Sequence, residues 1–149
     1  MLAAIRPDSW NLPLLVHLLG AMVLVGGTLT GASALAFARD DARLTRIGYF
    51  SLLAVALPGW VTMFVGAEWI YRREGLVDEP IDSAWILIGF LVAEVGGFLL
   101  LAALVLGGIG VHRLRQDKGA RPLKAAMVLC FVLLASYVVA VWAMAAKPG

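Results

Sequence analysis

The chain has 149 residues; 62% are hydrophobic and 15% charged, the formal net charge is +2 and the mean hydropathy is +0.91. A soluble domain of this length needs a larger charged and polar surface to cover its core, so that class is excluded. The basic residues flank apolar segments, which is a topological signal and gives no reason to expect nucleic acid as a partner.

The first apolar segment has no Asp, Glu, Lys or Arg from Ser9 to Ala38. That exceeds the roughly 20 residues that cross a ~30 Å hydrocarbon core as a helix, and predicts a span over about 12–38. Asn11 or Ser9 can cap it, with Pro13 in the first turn, where a missing N–H costs little. Arg6 precedes the run and Ala32-Ser33-Ala34 resembles a cleavage site. The stretch is nevertheless much longer than the roughly 7–15-residue core of a signal peptide, and the reading keeps it in the mature chain.

The second segment is uncharged from Ile47 to Ala67 and predicts a span over about 46–71. Pro58-Gly59 falls halfway along it and predicts a kink. Proline leaves the carbonyl of Ala54 without its helical donor, so the middle of this helix is expected to face protein or a buried water. In the third segment, about 83–111, Glu94 is the one acidic or basic side chain; Asp82 or Ser83 can cap it. The fourth, about 123–146, is bracketed by Pro122 and Pro148 and is uncharged from Ala125 to Ala146. It holds the lone cysteine, Cys130, which excludes an intrachain disulfide or a Cys-x-x-Cys motif and reads as a small apolar packing residue. The fold class expected is all-α, a four-helix transmembrane bundle occupying residues 1–149 as a single integral membrane domain.

Short loops obey the positive-inside rule. Arg39, Arg43 and Arg46 lie in the loop over 39–46; Arg113, Arg115, Lys118, Arg121 and Lys124 lie in the loop over 112–124, opposed only by Asp117. Both loops are expected in the cytoplasm, with both termini on the outer face. The middle loop, where Arg72 and Arg73 meet Glu74, Asp78, Glu79 and Asp82, then also lies outside. Trp10, Trp69, Trp85 and Trp142 fall near the outer ends of the four segments, as interfacial aromatic rings should.

Helix association in lipid depends on close packing, which small residues permit. Gly20, Gly27 and Gly31 mark one face of the first segment; Gly89, Ala93 and Gly97 recur at four-residue spacing in the third. These faces predict that the first and third helices make the closest contact in the bundle.

Ionisable groups inside a span are costly and are functional candidates by default. Glu94 lies about 15 Å into the third helix and His17 about 8 Å into the first, at ~1.5 Å per residue; Glu68 lies near the outer end of the second. A carboxyl at that depth should be protonated, paired or hydrated, which suits helix–helix contact, contact with a partner subunit, or proton handling. His17 shares a face with Gly20, Leu24 and Gly27 and is expected to point into the bundle, toward Glu94, Glu68 or the proline-disturbed region of helix 2. Its imidazole also suits haem b iron or copper. His112 sits at the opposite membrane face, so one chain cannot supply a bis-histidine haem site; Met22 and Met63 read as ordinary core fillers. No nucleophile–base pair, zinc spacing or phosphate loop occurs, and the glycine-rich stretches lack the strand–turn–helix context of a nucleotide motif.

The run from His17 through Gly20 to Gly26-Gly27 resembles the first-helix signature of CopD-like (copper-resistance D-type) bacterial membrane proteins and related uncharacterised four-helix proteins. The closing Trp142-Ala-Met144-Ala-Ala-Lys147-Pro148 looks like the tail of the latter. The resemblance covers about the first 30 residues and the last ten. It implies a multi-pass bundle in a bacterial plasma (inner) membrane, with His17 at a haem or metal site. Leu24-Val25 stands where an aromatic residue often precedes the Gly-Gly pair, and no second histidine lies within the spans, which weighs against copper transport. The leading expectation is a non-enzymatic membrane component, embedded in the lipid bilayer and working as a homo-oligomer or with a membrane-protein partner. The alternatives are a redox protein using His17 with Glu94 handling protons, and proton or metal permeation past His17, Glu68 and Glu94.

Overall fold

A computed structural model describes residues 11–39, 41–73, 84–116 and 118–146, apart from the side chain of Asn11. The proposed caps Ser9, Asp82 and Ser83, together with Trp10 and Pro148, lie outside the described residues. Four helices result, each long and apolar enough to cross a membrane. Helix 1 is Asn11–Phe37, helix 2 is Ala42–Arg73, helix 3 is Ala84–Leu114 and helix 4 is Arg121–Ala146. A helix satisfies its own backbone in lipid, which is why apolar runs rich in glycine and β-branched residues stay helical here. The described chain crosses from one end of the bundle, where helices 1 and 3 start, to the other, where the basic loops lie; these are called the terminal end and the basic end.

Helix 2 begins at Ala42, ahead of the expected position 46. Asp41 caps it, its carboxylate accepting from the backbone N–H of Arg43 at 2.7 Å and of Leu44 at 3.3 Å. Arg39 turns the chain in the left-handed region, at φ 44°. Arg43 and Arg46 therefore ride on the exposed face of the first helical turns, where long basic side chains reach the headgroups. Their charge is what made the sequence read as loop.

Ahead of Pro58, helix 2 widens into a π-turn over Leu52–Ala56, closed by the Leu57 N–H donating to the Leu52 carbonyl. Such turns are among the recognised places where a helix is perturbed. The middle of helix 2 does face protein, with Leu52, Ala56 and Gly59 buried against helix 1, but Ala54, whose carbonyl motivated that expectation, and Pro58 lie on the exposed face. The wide turn separates the two faces, so that the proline disturbance points outward and the packed face continues.

That packed face corrects the expected pairing. Helix 1 makes its intimate contact with helix 2, and helix 3 with helix 4. A methyl group built on Gly27 would lie 2.6 Å from the backbone nitrogen of Ala56, and one on Gly66 2.5 Å from that of His17. Gly20 faces the backbone of Met63, Gly59 that of Leu24, Gly31 the Leu52 side chain and Gly48 that of Leu35. Both helices advance through these pairs by the same steps of three or four residues, an antiparallel register held by glycines on either side. The glycines of helix 3 serve other neighbours: Gly97 receives the Trp60 ring, Gly107 the Tyr49 ring and Gly110 the Leu123 side chain.

The hydrophobic core lies in the basic-end half. Leu24, Thr28 and Ala32 close against Leu52 and Ala56, Leu100 and Ala103, and Ala126, Cys130 and Leu133. Helices 2 and 3 meet there through Tyr49 and Trp60, whose Nε1–H donates to the Ala93 carbonyl at 2.9 Å. Beyond Trp60, toward the terminal end, their backbones separate.

Candidate functional site

The separation opens a pocket of about 450 Å³ in the terminal-end half, lined by all four helices. That volume falls in the range of small-ligand sites. Its walls are mostly apolar. Phe64, Tyr71 and Phe90 stand on the helix 2 and helix 3 sides, and the Tyr71 and Phe90 rings meet edge to face with centroids 5.1 Å apart, bridging the gap between the two backbones. Trp60 stacks behind Phe64 with ring centroids 5.5 Å apart, on the side toward the core.

Few polar side chains line this space, and His17 is held in a defined orientation. Gly66 lets helix 2 approach the backbone of His17 closely, so the imidazole reaches along helix 2 and its Nδ1 lies 3.0 Å from the Met63 carbonyl. A carbonyl only accepts, so Nδ1 carries the proton and donates. A neutral imidazole then has its lone pair on Nε2, the arrangement found where a histidine is steered toward a metal or a hydrogen-bond donor. The expected partner region on helix 2 is thus right in element, but the acceptor is Met63, farther along than the carbonyl affected by Pro58.

Glu68 also lines the pocket, where its carboxylate accepts from the Arg72 guanidinium at 2.7 Å across one helical turn. Both partners are exposed, so the pair adds little stability. Tyr137 was missed by sequence reasoning. It lines the pocket from helix 4 and is 7% exposed, and its buried hydroxyl lies beside the Thr28 side chain without a well-formed hydrogen bond to any described residue. Thr28 is the neighbouring polar side chain and gives its own proton to the Leu24 carbonyl at 2.8 Å. The sequence did hold a signal: Tyr137 is the one tyrosine within the fourth apolar segment. Met63 and Met144 both face the pocket, the latter packing on Gly89, whereas Met22 is 70% exposed on the bundle surface.

The structure brings His17, Glu68, Gly89 and Ala93 to this one space and leaves Glu94 out of it. Glu94 is exposed on the opposite side of helix 3, away from the pocket that its neighbour Ala93 lines. His112 is also remote, at the basic end, with Nε2 2.9 Å from the Gln116 side chain. Among the described residues no three His, Cys, Asp or Glu side chains gather as a metal site. Comparison with protein-family models, with curated proteins and with solved structures finds no match to this chain.

Proposed function

We propose that the protein is a membrane-embedded binding protein whose pocket holds a largely apolar ligand, with Nε2 of His17 as the anchoring atom. The observation that carries this reading is the Nδ1 contact with Met63, which orients the ring and leaves the other nitrogen unengaged beside an aromatic-walled space. In the neutral imidazole Nε2 presents a lone pair, to which a ligand would offer an O–H or N–H donor or a metal centre. A haem suits the apolar walls and the single oriented imidazole, and when bound would bring redox chemistry to the site. A bare copper ion suits it less well: among the described residues no three His, Cys, Asp or Glu side chains gather around His17, and the pocket's remaining soft donors are the thioethers of Met63 and Met144. Tyr137 supplies a second polar point deeper in the same space.

The basic loops argue that the basic end faces the cytoplasm, which puts the pocket in the outer leaflet. The resemblance of the His17–Gly27 run to CopD-like proteins favours a bacterial plasma membrane. Permeation is the weaker reading, because Glu94 does not share a space with His17 and Glu68. Binding rather than catalysis is the economical assignment, since among the described residues the imidazole has no nucleophile in hydrogen-bond contact.

The test is an absorption spectrum, with metal analysis and mass spectrometry of the organic extract, on protein gently purified from its native membrane. The expected result is one stoichiometric chromophore or small molecule, retained by wild type and lost on His17→Ala. Wild-type protein carrying only bulk lipid, and a thermal stability indifferent to that extract, would overturn the proposal.

A further inference from the structure

We infer that the outward face of helix 3 is a self-association surface, where two copies of this chain pair through Glu94. The sequence of exposed residues along that face is Leu87, Leu91, Glu94, Phe98, Leu101 and Val105, in alternating steps of four and three. The opposite face of the helix is the packed one, with Gly96, Gly97, Leu100, Ala103, Leu104 and Gly107 all buried. Apolar residues at that spacing are what any lipid-facing stripe presents. The carboxyl in the middle is what distinguishes this one.

A glutamate about 15 Å into the span cannot reach the headgroups by extending its side chain, as Lys and Arg do near helix ends. It is not buried in its own bundle and has no hydrogen bond or ion pair to any described group. Left in hydrocarbon, even the neutral acid keeps an unsatisfied donor and acceptor, which costs several kcal/mol. No described group satisfies it, and a partner at the same depth on another chain would. Copies of one membrane protein insert with the same orientation, so a two-fold axis along the membrane normal brings equal depths together. On such an axis Glu94 meets Glu94. Two carboxyl groups sharing at least one proton are mutually donor and acceptor, so the surface is self-complementary without a second kind of residue. The alternating steps of four and three are also the spacing at which two parallel helices keep one seam in contact, and a lone polar residue on such a seam fixes register and stoichiometry. The seam faces away from the pocket, so pairing leaves access to His17 unchanged.

The experiment uses the full chain in native membranes in a Cys130→Ala background, with single cysteines placed one at a time for oxidative crosslinking. Leu91→Cys and Phe98→Cys probe the seam; Val128→Cys and Val138→Cys probe the exposed face of helix 4. The expected result is a disulfide-linked dimer of this chain at the seam positions and little at the controls. Adding Glu94→Leu should lower the dimer's association constant about 3- to 20-fold, and Glu94→Gln, whose amide also pairs with itself, should retain most of it. Because Glu94 is exposed in the monomer, the monomer's melting temperature should not move in either variant, which separates lost pairing from misfolding. Equal crosslinking on both faces, a crosslinked product containing a different protein, or full dimer in Glu94→Leu would each overturn the inference.

Discussion

Toward the basic end, Gly27 and Ala56 bring helices 1 and 2 to backbone contact, and Leu24, Leu52, Leu100 and Leu133 are closed over by all four helices. Toward the terminal end the same four helices surround a pocket of about 450 Å³, although helices 1 and 2 remain interlocked there through Gly20 and Gly66. The two halves differ because helix 3 packs closely on helix 2 at Tyr49 and Trp60, whereas beyond them the long Tyr71 and Phe90 side chains span the gap ring to ring. Lipid is as apolar as leucine, so apolar contact alone does not drive these helices together; close packing must. A bundle can then concentrate its cohesion in one half and leave the other open enough to admit a ligand.

The same substitution placed in each half should break this comparison most clearly. Gly27→Leu pushes a side chain into the helix 2 backbone, which cannot yield as a flexible side chain would. Its expected cost is about 3 kcal/mol or more, beyond ordinary overpacking, seen as loss of cooperative unfolding in a detergent titration. Gly89→Leu points instead at the terminal methyl of Met144 and the pocket, where a methyl on Gly89 meets, among the described residues, only that one atom, at 3.0 Å. It should change stability by less than about 1 kcal/mol while displacing whatever the pocket holds. Comparable destabilisation by both would mean that the halves are packed alike.

The next largest contrast comes from removing volume. Leu100 is fully buried in the core, and Leu100→Ala should cost about 2 kcal/mol. The cavity supplies most of this, because the transfer contribution shrinks when the unfolded helix sits in lipid. Ile86 lines the pocket, and Ile86→Ala should cost under about 0.5 kcal/mol, since it enlarges a space that already exists. Paired SDS unfolding titrations of the two variants decide it. A loss at Ile86 as large as that at Leu100 would show that the pocket is filled and load its wall into the core.

How much of this was legible in the residues depends on whether a signal was local. Four spans follow from charge-free runs, and charge-free runs can be read one segment at a time. The start of helix 2 could not be read so simply, because Asp41, Arg43 and Arg46 look like loop until the Asp41 cap and the outward arginines are seen together. Helix pairing is not local at all. Gly20, Gly27 and Gly31 were visible as a packing face, but nothing in helix 1 says which helix it meets. The reciprocal set Gly48, Gly59 and Gly66 is scattered at wider intervals and crosses the π-turn, so the usual four-residue pattern passes over it. His17 was visible as a rare intramembrane imidazole; that Glu68 shares its pocket and Glu94 does not depends on helix rotation, which apolar segments with charge on neither face leave undetermined.

The smallest expected effect tests what kind of contact holds the tight half together. Ser51 donates from Oγ to the Gly27 carbonyl across helices 1 and 2 at 2.9 Å, whereas Ser136 donates at 2.8 Å to Val132 within its own helix. The Gly27 carbonyl is inside helix 1 and already has a backbone donor one turn on, so the serine is its second partner. Removing the hydroxyl leaves no orphaned group, and a serine denied its interhelical acceptor can fold back one turn, as Ser136 does. Ser51→Ala should therefore cost only about 0.6 kcal/mol and Ser136→Ala nothing measurable, both read from unfolding titrations. If Ser51→Ala instead approached the loss at Leu100→Ala, polar glue rather than backbone proximity would hold the basic-end half. The glycine register would then be a consequence of that bond, and a ligand competing for the Gly27 carbonyl could loosen the whole bundle.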